Sequence, residues 1–351
     1  MVLGSFVKGM TYPKSVYYAT NPYGFFYYRH SLAMPFAPWK EADFEWLGSL
    51  YGLSFERKVR PRGMEGESAW KEYLDRIEGY LERGVPVQTY FGWRPEEREE
   101  REGKIVTRGG VRAFWWEGLT REFRPDTHSF VVVGMDRSKD LLWFNAPMAG
   151  WFGMGKYLKK PLSNLKRSLK SLRPELKYTT MAYVRRDTFP EDEKTRVELV
   201  KKRIVKKLEG DPAAYTKKPG DRQLFGIRAL EGLRDDLRPH MFVRILEGRK
   251  RKQGIAPLGV VVWLKLSIFQ HRFMTSLAAE YLEEQRMMEE WEWLSKLNIL
   301  YHRLYISSVK LGPIIRSAAG TLSAEKFEPV LQEMRRTLDE IIRHMEGAVS
   351  P

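Results

Sequence analysis

Between residues 68 and 83, the apolar positions Trp70, Tyr73, Leu74, Ile77 and Leu81 recur at three- and four-residue intervals. That spacing predicts an amphipathic helix, and Gly84 supplies its stop. Val85 to Phe91 then predicts a strand. Ser129 to Met135 is an apolar run without alternation, which predicts a central strand. Leu141 to Asn145 is its expected hairpin partner across the turn at 136–140, and a third strand is expected over 178–184. Interleaved charged and apolar residues at 41–47 predict a short helix. Thr20-Asn21-Pro22 reads as a capped helix start, followed by an aromatic run, 23–29, expected to be a helix buried on more than one side.

The pattern changes near Asp187-Thr188-Phe189-Pro190. Beyond it every long segment has helical periodicity, with expected helices at 191–209, 221–237, 258–288, 289–311 and 324–346. The fold class expected is therefore α+β, with an antiparallel sheet domain over 1–187 and an all-α domain over 188–351. No solenoid-type repeat is present.

Charge adds a second layer. The 351 residues contain 60 Lys and Arg against 45 Asp and Glu, a net charge of +15. That surplus favours an anionic partner such as nucleic acid, a ribosome or an acidic carrier protein. It equally suits the ion-pair networks of a thermophilic protein. The segment 156–173 holds Lys156, Lys159, Lys160, Lys166, Arg167, Lys170 and Arg173 and no acid, and is expected as a helix or loop forming one basic surface. Arg249 to Lys252 is a second basic run, expected in a loop. The mixed-charge run at 95–102 reads as solvated. No apolar stretch approaches the about 20 residues needed to span a bilayer, and no signal peptide is read, so the expected location is cytoplasmic.

Cysteine is absent, which removes disulfides, thiolate metal sites and a cysteine nucleophile. No two histidines stand at metal-ligand spacing, and no phosphate-binding or dinucleotide loop occurs, so neither metal nor cofactor is expected. The candidate chemistry lies in His128, at the start of the central strand, and Asn145, at the end of the next. A carboxamide there can orient an imidazole, the base-plus-orienter half of a nucleophilic triad. The alternative is a histidine capping its own loop, with Asn145 supplying turn geometry. Gln88 on the preceding strand is a further candidate for the same cleft, or ordinary strand polarity.

The stretch from His128 through Val131-Val132-Val133-Gly134 to Asn145-Ala146-Pro147 resembles the His and Asp/Asn segment of papain-like folds. It is most similar to the bacteriocin-leader peptidases and the butirosin biosynthesis protein H-like family. The Gly-Val-Pro-Val strand start at 84–87 and the block Ala42 to Phe55 resemble two further motifs of that family. Phe269 to Leu282, containing Arg272, is similar to a helix of the helical domain that follows. The resemblance implies a papain-like domain and acyl-transfer or peptidase chemistry through a cysteine at the N-terminus of the first buried helix. Asn21 stands at that presumed position, and Thr20 is the nearby hydroxyl. The resemblance therefore implies a cysteine-less, non-catalytic binding protein that uses the old cleft or a basic surface. Two alternatives stay open: an active acyltransferase or amide-bond enzyme using His128 with a non-cysteine nucleophile, and an RNA- or ribosome-binding protein.

Overall fold

The structure is a computed structural model that describes residues 18, 26–32, 41–60, 63, 65–91, 128–145, 158–169, 172, 174, 176–185, 192–211, 223–253, 256–318 and 321–349. In chain order its elements are β1 (Phe26–Tyr28), α1 (Glu41–Ser49), β2 (Leu53–Lys58), α2 (Gly66–Leu81), β3 (Val87–Phe91), β4 (His128–Asp136), β5 (Leu141–Asn145) and β6 (Leu158–Pro161). There follow α3 (Leu162–Leu169), β7 (Thr180–Arg185), α4 (Glu193–Leu208), β8 (Gln223–Phe225), α5 (Ile227–Asp236) and α6 (Pro239–Gln253). The last four helices are α7 (Pro257–Glu284), α8 (Met288–Val309), α9 (Leu311–Ser317) and α10 (Ala324–Val349). The class is α+β. Packing divides the chain into a sheet unit, residues 1–11 and 48–191, and a helical unit, residues 12–47 and 192–351.

In the sheet unit six strands lie in the order β2-β7-β3-β4-β5-β6, every neighbour pair antiparallel. Strand alternation sends Val87, Phe130, Val132, Leu142, Phe144 and Ala182 to one face. There they form a core with Trp70, Tyr73, Leu74, Ile77 and Tyr80 of α2 and with Leu162, Leu165 and Leu169 of α3. Thr89 lies within this buried layer. Its hydroxyl donates to the Thr179 carbonyl at 2.8 Å and accepts from Tyr73 at 2.5 Å, so no polar atom of the pair is stranded. Arg137, at the β4–β5 turn, bridges Asp75 at 2.7 Å and Glu78 at 2.8 Å on α2.

In the helical unit, Asp192 caps α4 by accepting the Thr195 N–H at 3.0 Å. The buried residues of α10, Phe327, Leu331, Met334, Leu338, Ile341 and Met345, alternate in steps of four and three. That is the seam of helices packed nearly parallel or antiparallel. Leu294, Leu297, Leu300, Tyr301 and Leu304 of α8 are buried in the same unit, as are Leu264, Ile268 and Leu282 of α7. One two-stranded ribbon interrupts the helices: β1 pairs antiparallel with β8, Tyr27 opposite Leu224.

That ribbon corrects the expected helix at 23–29. Phe26, Tyr27 and Tyr28 favour the extended backbone, and β8 supplies the backbone partners a lone aromatic segment lacks. The run Arg249 to Gln253 also differs from expectation, since α6 continues through it to residue 253. Arg and Lys are good helix formers, and one Gly at 248 costs only about 1 kcal/mol.

His344 of α10 lies against Trp293 of α8, ring centroids 5.3 Å apart. Its Nε2–H donates to the Trp293 carbonyl at 2.8 Å. Burial holds its pKa below the usual imidazole range, with help from Lys296, against the opposing hydrogen bond. A histidine kept neutral on folding withholds stability from acid: the contribution is full above the unfolded pKa of about 6.5 and is lost as pH falls through and below it. The urea midpoint of the helical unit is expected to drop between about pH 7 and 5, and His344→Gln to flatten that drop. Equal slopes in both proteins would remove His344 as the cause.

Candidate functional site

The register decides which expected site residues share a face. Asn145 pairs with Val131, and Val131 pairs on its other side with Gln88. Gln88 in turn pairs with Met181, and Met181 with Arg57. One row therefore crosses five strands, Arg57–Met181–Gln88–Val131–Asn145, on the face away from α2 and α3. The backbone position of His128 is three residues from Val131, opposite Phe91, in the row parity of Phe130 and Val132. Only the backbone of His128 lies within the described residues, and Asn21 and Thr20 lie outside them.

A second row runs beside the first. Trp143 pairs with Gly134 on one side and Lys159 on the other. The indole lies close against Gly134, where a Cβ would come within 3.2 Å of Trp143 Cε3. The strand carries a bulge between Val132 and Gly134, which brings this glycine under the ring. Tyr90, two residues from Gln88, lies on the same face and donates its hydroxyl to Met181 Sδ at 3.8 Å. Burial pushes the Tyr90 hydroxyl pKa up, and the Arg57 charge pulls against that shift. Phe55 and Tyr183 continue the aromatic series, 5.4 Å between centroids. Arg57 and Lys159 are exposed, and Gln88, Tyr90, Trp143 and Asn145 are half-exposed.

The single basic surface expected from 156–173 is divided. Lys159 lies on the Trp143 face. Lys160 lies on the other, beside Phe144, Asn164 and Ser168. On α3, Lys166 pairs with Glu67 and stands 5.7 Å from the Trp70 ring, while Arg167 donates to Asn164. Lys156, Lys170 and Arg173 lie outside the described residues. Nor is the surplus charge gathered in one unit: 28 basic against 20 acidic residues fall in the sheet unit and 32 against 25 in the helical unit. Arg272 is half-buried on α7, its guanidinium 6.0 Å from the Tyr305 ring, and so acts there as a packing cation.

The helical unit holds a cluster that local sequence does not reveal. Asp236, the last residue of α5, is only 4% exposed. Its carboxylate accepts from the Tyr27 hydroxyl at 2.7 Å, the His30 backbone N–H at 2.6 Å and His30 Nδ1 at 2.9 Å. Burial and Asp236 hold the Tyr27 phenol protonated far above its ordinary range. His30 and Leu32 both take positive φ, 63° and 53°, and the Leu32 N–H donates to Tyr27 Oη at 3.2 Å. The sequence carried one oblique sign. An acid at a helix C-terminus opposes the helix dipole, so a buried one there needs donors from elsewhere.

Among the described residues, no group of three or more His, Asp or Glu is placed to hold a metal ion. No described helix is long and apolar enough to cross a membrane. The chain matches no known protein-family profile. No curated protein matches it in sequence.

Proposed function

We propose that this chain is a non-catalytic binding protein that takes a single-stranded nucleic acid on the sheet face bearing Trp143, Tyr90, Gln88 and Asn145. One observation carries the reading: aromatic rings, side-chain amides and the cations Arg57 and Lys159 share that face in three adjacent rows. Flat aromatic rings stack on unpaired bases, flanking cations take phosphates, and amides bond base edges.

The test is fluorescence anisotropy with a labelled single-stranded RNA at about 50 and 200 mM salt. Trp143→Ala is expected to weaken binding by about 1–3 kcal/mol, roughly 5- to 150-fold. Changing Arg57 and Lys159 together to Gln is expected to lower the log–log salt slope by about 1.4, at about 0.7 per phosphate. Lys166→Gln and Arg167→Gln, on α3 at the other face, are expected to leave affinity unchanged. Absence of binding at low salt would overturn the proposal. An effect of the α3 changes equal to that of the Trp143 face would move the site to the other surface.

A further inference from the structure

The base-plus-orienter pair sought at His128 is present elsewhere, in the helical unit. The Asp236 carboxyl group accepts from the Tyr27 hydroxyl and the His30 backbone N–H and lies 2.9 Å from His30 Nδ1. With Nδ1 engaged there, Nε2 is the ring nitrogen left to react. The His30 side chain is 54% exposed while its carboxylate partner is 6% exposed. A buried acceptor thus holds the inner edge of the ring and leaves the outer nitrogen reachable from solution. The turn is held against strain. Two non-glycine residues with positive φ flank Ser31, and the Asp236 and Tyr27 side chains bond their backbone N–H groups. Such strain persists only where the surroundings over-determine it, and it gathers at functional sites.

We propose that His30 is a nucleophilic histidine that accepts a phosphoryl group at Nε2. Two features select this chemistry. The exposed ring suits a donor that comes to it, rather than a substrate enclosed in a cleft. The amides of His30 and Leu32 are already committed to Asp236 and Tyr27, so neither can stabilise the oxyanion of an acyl transfer. Phosphoryl transfer instead needs positioning and charge neutralisation.

With phosphoramidate as donor the step balances. The Nε2 lone pair forms the new N–P bond, the P–N bond of the donor breaks, and ammonia leaves with that electron pair. The ring keeps its Nδ1 proton, and Asp236 offsets the positive charge that develops on the imidazole. The residues and chemistry are independent of the nucleic-acid face.

The experiment incubates the full-length protein with potassium phosphoramidate. It follows acid-labile phosphorylation by phosphorus NMR and by peptide mass spectrometry. His302, exposed on α8, is the internal comparator. His30 is expected to be modified about tenfold or more faster than His302, the scale on which a carboxylate partner acts on an imidazole, and at Nε2. His30→Gln is expected to abolish that signal. Asp236→Asn, checked for helix content by circular dichroism, is expected to bring the rate down to that of His302. Should that variant unfold, the within-protein comparison of His30 with His302 decides alone. Equal rates at the two histidines, modification at Nδ1, or a signal that survives His30→Gln would overturn the proposal.

Discussion

Gly226→Ala is expected to destabilise the helical unit by roughly 3–5 kcal/mol and to loosen the His30–Asp236 pair. Gly226 has φ 57° and ψ −139°, a combination essentially restricted to glycine. A Cβ there would meet the Leu208 carbonyl oxygen at 2.2 Å and that of Lys207 at 2.5 Å, both backbone atoms at the end of α4. Neither can move without unwinding that helix end. Gly226 also joins β8 to α5, so it links the strand that pairs with β1 to the helix that ends in Asp236. Thermal melts should show the loss, and the His30 ring resonances should shift in the folded fraction. A variant as stable as the parent would mean that α4 and β8 do not approach as closely as described.

Lys207→Met is expected to act in the opposite direction. Lys207 is 4% exposed in the last turn of α4. Burial, with the charge of Arg203 added to it, brings its ammonium pKa down to about 7. The unfolded lysine keeps its proton to about pH 10.4. Between about pH 7 and 10 the unfolded chain therefore binds one more proton than the folded chain, and stability rises with pH across that window. Methionine has a similar length and nothing to desolvate. At pH 7 the variant is expected to be more stable by roughly 1–3 kcal/mol, with the advantage shrinking toward pH 10. Urea titrations at both pH values check this. A variant less stable at pH 7, or an advantage that does not change with pH, would show that burial does not hold the Lys207 ammonium pKa down.

Much of the secondary structure was legible because burial leaves a local imprint. α2, α4, α7, α8 and α10 each carry their own apolar spacing, and β3, β4, β5 and β7 their apolar runs. β1 was not legible. Its aromatic residues satisfy a helical or an extended pattern equally well, and only pairing with β8 decides between them. α6 was obscured by its basic end, since charge clusters occur in loops and on helix surfaces alike. The division of the chain was partly visible. The change of composition near 188 lies beside the cut at 191–192, but nothing local indicates that residues 12–47 pack with the helices.

The sites divide along the same line. Gln88 and Asn145 were singled out by residue type and strand position and Lys159 as part of a basic helix or loop, and the register places all three on one face. Trp143 was hidden in an apolar run, and its platform depends on a bulge that places Gly134 beneath it. His30 and Asp236 stand 206 positions apart. Periodicity is a property of neighbouring residues, so the chain alone determined where helices and strands form and which side of each is apolar. Register parity and contacts between distant segments depend on how whole elements pair. Only tertiary structure could bring His30 to a buried carboxylate.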